Sequence, residues 1–193
     1  MKKLMMPILT AGLMLTAASC GNNSTETTSS DTTVVQDGNM QAGANEMQRQ
    51  NQRDEEFAMK AAEGGMMEVM MGELAQKNGA SQEVKDFGKM MVTDHSKAND
   101  ELKALAAQKN INLPSTLGNE KQDKYNDLAK KTGKDFDKDY IDLMVKDHEH
   151  DIDEFKEEAD KGNDPDIKAF AAKTLPTLQH HYDRIKQIRD AQK

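Results

Sequence analysis

Imidazoles and carboxylates recur in this chain at positions where a helix would turn them toward its neighbours: Glu68, Asp94-His95, Asp147-His148 and His180-His181. Side chains of these two types exchange protons, hydrogen-bond into polar networks, or ligate Zn, Fe or Mn as neutral imidazole and ionised carboxylate. Burying one unpaired charge costs several kcal/mol, a large share of the roughly 5 to 15 kcal/mol that holds a domain folded. Such groups must therefore pair, reach water or bind a cation. Other chemistry has no support in the sequence, which lacks a Gly-rich phosphate loop, a nucleophile elbow and a Cys-x-x-Cys pair.

The elements that must position these residues are helices. From Glu55 to Lys77 the chain is dense in Ala, Met, Glu and Leu, with Asn78-Gly79 as a stop. Phe57, Ala61, Gly64, Glu68, Met71 and Ala75 recur at alternating steps of four and three, a seam that contains Glu68. Gly64-Gly65 reads as a close packing contact within it. A second helix starts at Ser81 as N-cap and carries Val84, Phe87, Met91, Asp94, Ala98, Leu102 and Leu105 on one stripe, with His95 at its border. Pro114 and Gly118 open a long connection in which residues 119–131 can form a short helix. The third long helix spans about Lys134 to Lys161, its stripe Ile141, Met144, His148, Ile152, Phe155 and Ala159, with Gly162 closing it. Asp164-Pro165 starts the fourth, where Ile167, Ala171, Thr174, Leu178, His181, Ile185 and Ile188 alternate strictly and Pro176 should kink or loosen one turn. No alternating run supports a strand. The expected fold class is all-α, a four-helix bundle with a long connection between its second and third helices.

Helical rise places the polar seam residues near mid-height of helices about 40 Å long, within about one helical turn of each other. Glu68 lies roughly 17 Å from the turn at Gly79 and Asp94-His95 roughly 22 to 23 Å from it, while His148 and His181 lie roughly 22 and 27 Å from the turn at Gly162-Asn163. Three outcomes fit: an internal carboxylate–histidine network that fixes helix register, a metal site, or stripes assigned one residue out. The metal reading takes Glu68, His95, His148 and His181 as ligands and Asp94 and Asp147 as groups supporting them from behind. It requires the His95 and His148 rings to lie within about 8 Å of each other. Copper is the lesser possibility: Met66, Met67, Met70, Met71, Met90 and Met91 offer thioethers, but Met at helical spacing more often fills a core. Within Asp147-His148-Glu149-His150-Asp151, adjacent residues point in different directions, so the cluster cannot act as one ligand set and most of it should be solvated.

The ends of the chain bear on where it works. Residues 1–19 read as an export signal, with Lys2-Lys3 before an apolar run shorter than the roughly 20 residues that span a bilayer. Leu15-Thr16-Ala17-Ala18-Ser19-Cys20 resembles a bacterial lipobox, and Cys20 is the one cysteine of the chain, so lipid attachment there is the expectation. Residues 20–53, rich in Ser, Thr, Asn, Gln, Gly and Asp, read as a disordered tether. Residues 54–193 form the folded domain. The formal charge of −8 becomes more negative once Lys2 and Lys3 leave, which argues against nucleic acid as a partner. The membrane is then a partner through the anchor alone.

Four blocks, "FAMKAAEGGMMEVMMGEL" from Phe57, "VKDFGKMMVTDHSKANDEL" around Asp94-His95, "YIDLMVKDHEHDIDEF" and "TLPTLQHHYDRI", resemble in order the bacterial family known as domain of unknown function 4142. The resemblance implies a ferritin-like bundle and an exported or lipid-anchored protein whose role is unassigned. It points to Glu68, Asp94, His95, Asp147, His148 and His181, with His180 at a variable position. The chain has no Glu-x-x-His, its nearest approach being Asp147-x-x-His150, so the resemblance does not extend to a di-iron oxidase or iron store. The favoured reading is a lipid-anchored cell-envelope protein, facing the periplasm or cell exterior, that acts as a non-enzymatic binding or stress-related module. The alternative is a metal-binding or redox protein with a mid-bundle His/carboxylate site.

Overall fold

A computed structural model describes residues 37–192; the expected signal sequence, Cys20 and the first part of the expected tether lie outside the described residues. Five helices follow in order: α1 (Asp37–Asn78), α2 (Gln82–Lys109), α3 (Asn119–Ala129), α4 (Gly133–Lys161) and α5 (Pro165–Ala191). Among the described residues there is no strand, only an isolated bridge between Gly79 and Gly133. The fold is all-α. The long helix α1 packs along α2 and α4 along α5, while α1 also meets α4 and α2 meets α5. Short α3, within the long connection, lies against α1 and α4.

The local signals act as their chemistry dictates. Ser81 caps α2, its Oγ accepting from the Val84 N–H at 3.2 Å, and Asn110 ends that helix in the left-handed conformation. Asp164 caps α5 by accepting from the Asp166 and Ile167 N–H groups, and Pro165 occupies the first turn, where a missing N–H costs nothing. The fifth helix continues through Pro176.

One boundary differs. The first helix begins at Asp37, not at Glu55, so residues 37–53 are helical where a disordered tether was expected. Most of the side chains described there are exposed, and the apolar periodicity that marks a seam is missing. Local terms act instead: Glu46 pairs with Arg49 at 3.4 Å one turn on, and the segment continues a helix whose nucleus lies downstream.

Two buried aspartates tie the ends of the helix pairs together. Asp137 of α4 accepts the Ala80 and Ser81 N–H groups at 2.9 and 2.8 Å, holding the α1–α2 turn. Asp54 of α1 does the same at the opposite end, accepting from Asn163 at 3.0 Å and from Asp164 at 2.6 Å. Burial, with the charge of Asp54 beside it, pushes the Glu158 carboxyl up to about 7. These bonds fix the heights of α1 and α4 relative to the opposite turns, and so the heights of everything between.

Apolar packing forms two clusters. Met67, Met71, Phe87, Met91, Tyr140 and Ile185 belong to one, Phe57, Leu102, Ile152, Phe170 and Leu178 to the other. On α2, α4 and α5 the members of the two clusters lie on opposite sides of His95, His148 or His181 along the chain, and on α1 the boundary falls just before Met67, which adjoins Glu68. The ionisable residues thus form a layer between two apolar cores.

Glycines let α1 and α2 approach within that frame. A Cβ on Gly65 would meet the Asn99 side chain, whereas one on Gly64 would meet nothing closer than Lys121 Nζ at 3.8 Å. The tightest backbone crossing is between Gly72 and Gly88, where a Cβ on either would stand 2.6 or 2.7 Å from the carbonyl oxygen of the other. Backbone cannot rotate away, so Gly88→Ala should separate the helices. The overpacking, about 1–3 kcal/mol, should exceed the roughly 1 kcal/mol of helix propensity regained, and denaturant unfolding should show a net loss. Gly64→Ala should be neutral or stabilising, and an equal loss in both variants would contradict the assignment of the crossing.

Candidate metal centre

Each long helix delivers its polar residue to the shared layer. Glu68 is 2 % exposed and His95 6 %, while His148 and His181 are fully buried. The ring centroids of His95 and His148 are 5.9 Å apart, those of His95 and His181 5.2 Å, and those of His148 and His181 5.5 Å. One ligand nitrogen from each ring lies within 4.8 Å of the others. The 8 Å limit that a shared site sets is met.

Hydrogen bonds fix which nitrogen of each ring is free. His148 Nδ1 is 2.9 Å from the Met144 carbonyl, which only accepts, so Nδ1 carries the proton and Nε2 is bare. His181 Nε2 donates to Asp94 Oδ2 at 2.8 Å, leaving Nδ1 bare. His95 Nδ1 lies 2.8 Å from Glu68 Oε2, to which it donates when that carboxylate is ionised, leaving its own Nε2 bare. His95 Nε2, His148 Nε2 and His181 Nδ1 are all buried without a hydrogen-bond partner, and Glu68 Oε1 is likewise unpartnered at 3.5 Å from His148 Nε2. Each ring is oriented from behind by an acceptor and turns a lone pair toward the others, the arrangement that metal-ligating histidines adopt.

Burial sets the charge states. It lowers His95 and His181 to about 4, and His148 falls well below the ordinary imidazole range through burial and then through the neighbouring rings. The imidazoles are therefore neutral, as ligation requires. Burial pushes the carboxyl of Glu68 well up, with Asp147 adding repulsion. Asp151 is raised well above its usual range by burial and then by Glu68 and Asp147, and Asp147 is raised by burial. A cation would relieve both kinds of group together.

Asp94 hydrogen-bonds His181 across the α2–α5 contact. Other positions depart from the expected roles. Asp147, expected behind a histidine, stands with Glu68 and Asp151, one carboxylate oxygen of each within 4.8 Å of the others, and its Oδ2 is buried and unpartnered. Asp151 belongs to a stretch expected to be mostly solvated, yet its spacing of four from Asp147 places the two on one face of α4. Tyr140, two turns before His148, is also new to the layer: its hydroxyl is buried and unpartnered, and its phenol is raised by burial and then by Glu68. His150 and His180 are exposed. Met67, Met71 and Met91 are fully buried in an apolar cluster.

In the metal-free protein at pH 6, nitrogen–proton correlation spectra should show three neutral imidazoles, with His148 protonated at Nδ1 and His181 at Nε2. His95 and His181 should take a second proton only as the pH nears 4. Unfolded histidines take theirs near 6.5, so the unfolded state binds more protons in this window, and the histidines' share of stability is lost as pH falls from about 6.5 through about 4. Titration of His95 or His181 near 6.5 would contradict their burial as neutral groups.

The site residues and the helices that carry them all fall within one stretch of chain. Comparisons with curated proteins and with solved structures found no match. A family model described as domain of unknown function, DUF4142, matches residues 39–188, from the first turn of α1 to near the end of α5, and the chain belongs to that family.

Proposed function

We propose that the protein binds a transition-metal ion through His95 Nε2, His148 Nε2 and His181 Nδ1, at mid-height of a ferritin-like four-helix bundle. The bundle is carried by an exported lipoprotein anchored at Cys20. The observation that carries this reading is the convergence of three bare, buried imidazole nitrogens. Each buried polar atom left unsatisfied costs about 1–3 kcal/mol, so three in one place are a large burden on a domain. A network that served only helix register would pair these atoms, and this one leaves them unpaired. One water cannot satisfy them either, because it has two protons to donate and faces three acceptors. A divalent cation accepts all three lone pairs at once and favours ionised Glu68 beside it.

Of Zn, Fe and Mn, three neutral imidazoles suit Zn and Fe best, and Met67, Met71 and Met91, the thioethers a copper site would draw on, are packed in an apolar cluster. The histidine geometry therefore favours metal binding over a general interaction module. Elemental analysis of the protein purified with Cys20→Ser should give close to one equivalent of a transition metal per chain, falling to background in His148→Ala and His181→Ala. Background metal in all three proteins would leave only the register network.

The anchor rests on the lipobox-like segment ending at Cys20 and is tested separately. After fractionation of cells, the native chain should sediment with membranes and Cys20→Ser should be soluble. Retention of the variant on membranes would point to a different attachment.

A further inference from the structure

We infer that Glu68, Asp147 and Asp151 form a second cation site, made of oxygen ligands alone and open to the cavity beneath α3, that takes a hard divalent cation such as Mn2+ or Ca2+. The site adjoins the histidines and shares Glu68 with them, but its donors are different. One carboxylate oxygen from each residue lies within 4.8 Å of the others. Proximity of acids alone would say little. Glu68, however, is 2 % exposed, and both its Oε1, 3.5 Å from His148 Nε2, and Asp147 Oδ2 are buried with no hydrogen-bond donor, so two of the three residues offer a buried, unpartnered oxygen.

The local charge is unbalanced in the same sense. Lys121 of α3 lines the same cavity as Asp147 and Asp151. Its Nζ lies over Gly64, 3.8 Å from where a Cβ would stand. Lys124, which also lines that cavity, is engaged by Glu120 at 2.7 Å. One ammonium facing three carboxylates leaves two charges uncompensated when all are ionised, which a divalent ion supplies. Oxygen-only donors select Mn2+, Ca2+ or Mg2+, where imidazole selects Zn or Fe.

Access and room are both present. Asp147 and Asp151 line a cavity of about 570 Å³ that opens between α1, α3 and α4, with Lys121 and Lys124 on its α3 side. A smaller void of about 20 Å³ touches Glu68, His95 and Asp151, space for one water or one ion. Residue Gly118, just before α3, donates its N–H to Glu63 Oε1 at 2.5 Å and so holds the start of α3 over this opening. Lys121 occupies the position of a resident counter-charge that an incoming cation would displace.

The test is titration of the metal-free protein with Mn2+, followed by electron paramagnetic resonance of the free ion. Co2+ is titrated in parallel and read by its visible absorption, which reports imidazole ligation. The native chain should bind one Mn2+ saturably. Asp151→Asn, isosteric and without the burden of a buried charge, should weaken that binding about tenfold or more and leave the Co2+ spectrum unchanged. Lys121→Gln should tighten Mn2+ binding severalfold, an effect opposite in sign to that of misfolding. His148→Ala should abolish the Co2+ signal and retain Mn2+, so that failure of the histidine site and failure of the acidic site are told apart. The proposal is overturned if the native chain shows no saturable Mn2+ binding at about 1 mM, a bound set by the weakest oxygen-ligand sites. Equal binding by Asp151→Asn, or loss of Mn2+ binding together with Co2+ in His148→Ala, would also overturn it.

Discussion

Everything in this fold is arranged around a buried ionisable layer that separates two apolar clusters. Apolar side chains in Glu68, His95, His148 and His181 would join those clusters into one continuous core and avoid the desolvation of four polar groups. Instead the helices must keep four polar side chains at one height and in mutual contact. The buried Asp54 and Asp137 meet that demand at the two ends of the bundle by holding the α4–α5 and α1–α2 turns. The Gly72–Gly88 crossing meets it laterally, because close approach of α1 and α2 is what brings Glu68 within 2.8 Å of His95.

The same physical term shapes both halves of the layer. Removing water lowers the proton affinity of imidazoles and raises that of carboxyls, so the histidines stay neutral with bare lone pairs and Glu68, Asp147 and Asp151 are all shifted upward. Supports behind the rings, the Met144 carbonyl and the Asp94 carboxylate, then select which nitrogen faces inward. On the proposed reading, a cation binds the bare nitrogens and favours the ionised form of the neighbouring carboxyls.

Much of this was legible in the sequence because helical spacing and helical rise are regular. The seams through Glu68, His148 and His181 follow from alternation by four and three, and their common height follows from distance to the turns at Gly79 and Gly162. Caps at Ser81 and Asp164-Pro165 are local chemistry and were readable as such. What escaped depends on neighbours distant in sequence. Nothing local marks Asp54 or Asp137 as a ligand of a turn many residues away, and Gly72 or Gly88 alone does not show that each faces the other. The pairing of His181 with Asp94, rather than with a carboxylate on its own helix, is of this kind. So is the grouping of Asp147 with Glu68 in place of a histidine. Residues 37–53 were missed for a different reason: their helix has no apolar seam, and periodicity is silent where burial is absent. Asp151 differs from these, since its spacing of four from Asp147 is a local signal that the sequence carries.

The most direct measurement is crystallographic, with anomalous diffraction data collected at the absorption edge of the metal that copurifies with the protein. The account predicts one anomalous peak inside the bundle, about 2.0–2.2 Å from His95 Nε2, His148 Nε2 and His181 Nδ1. A layer without such a peak, with the three imidazole nitrogens paired to one another or to ordered water, would contradict it.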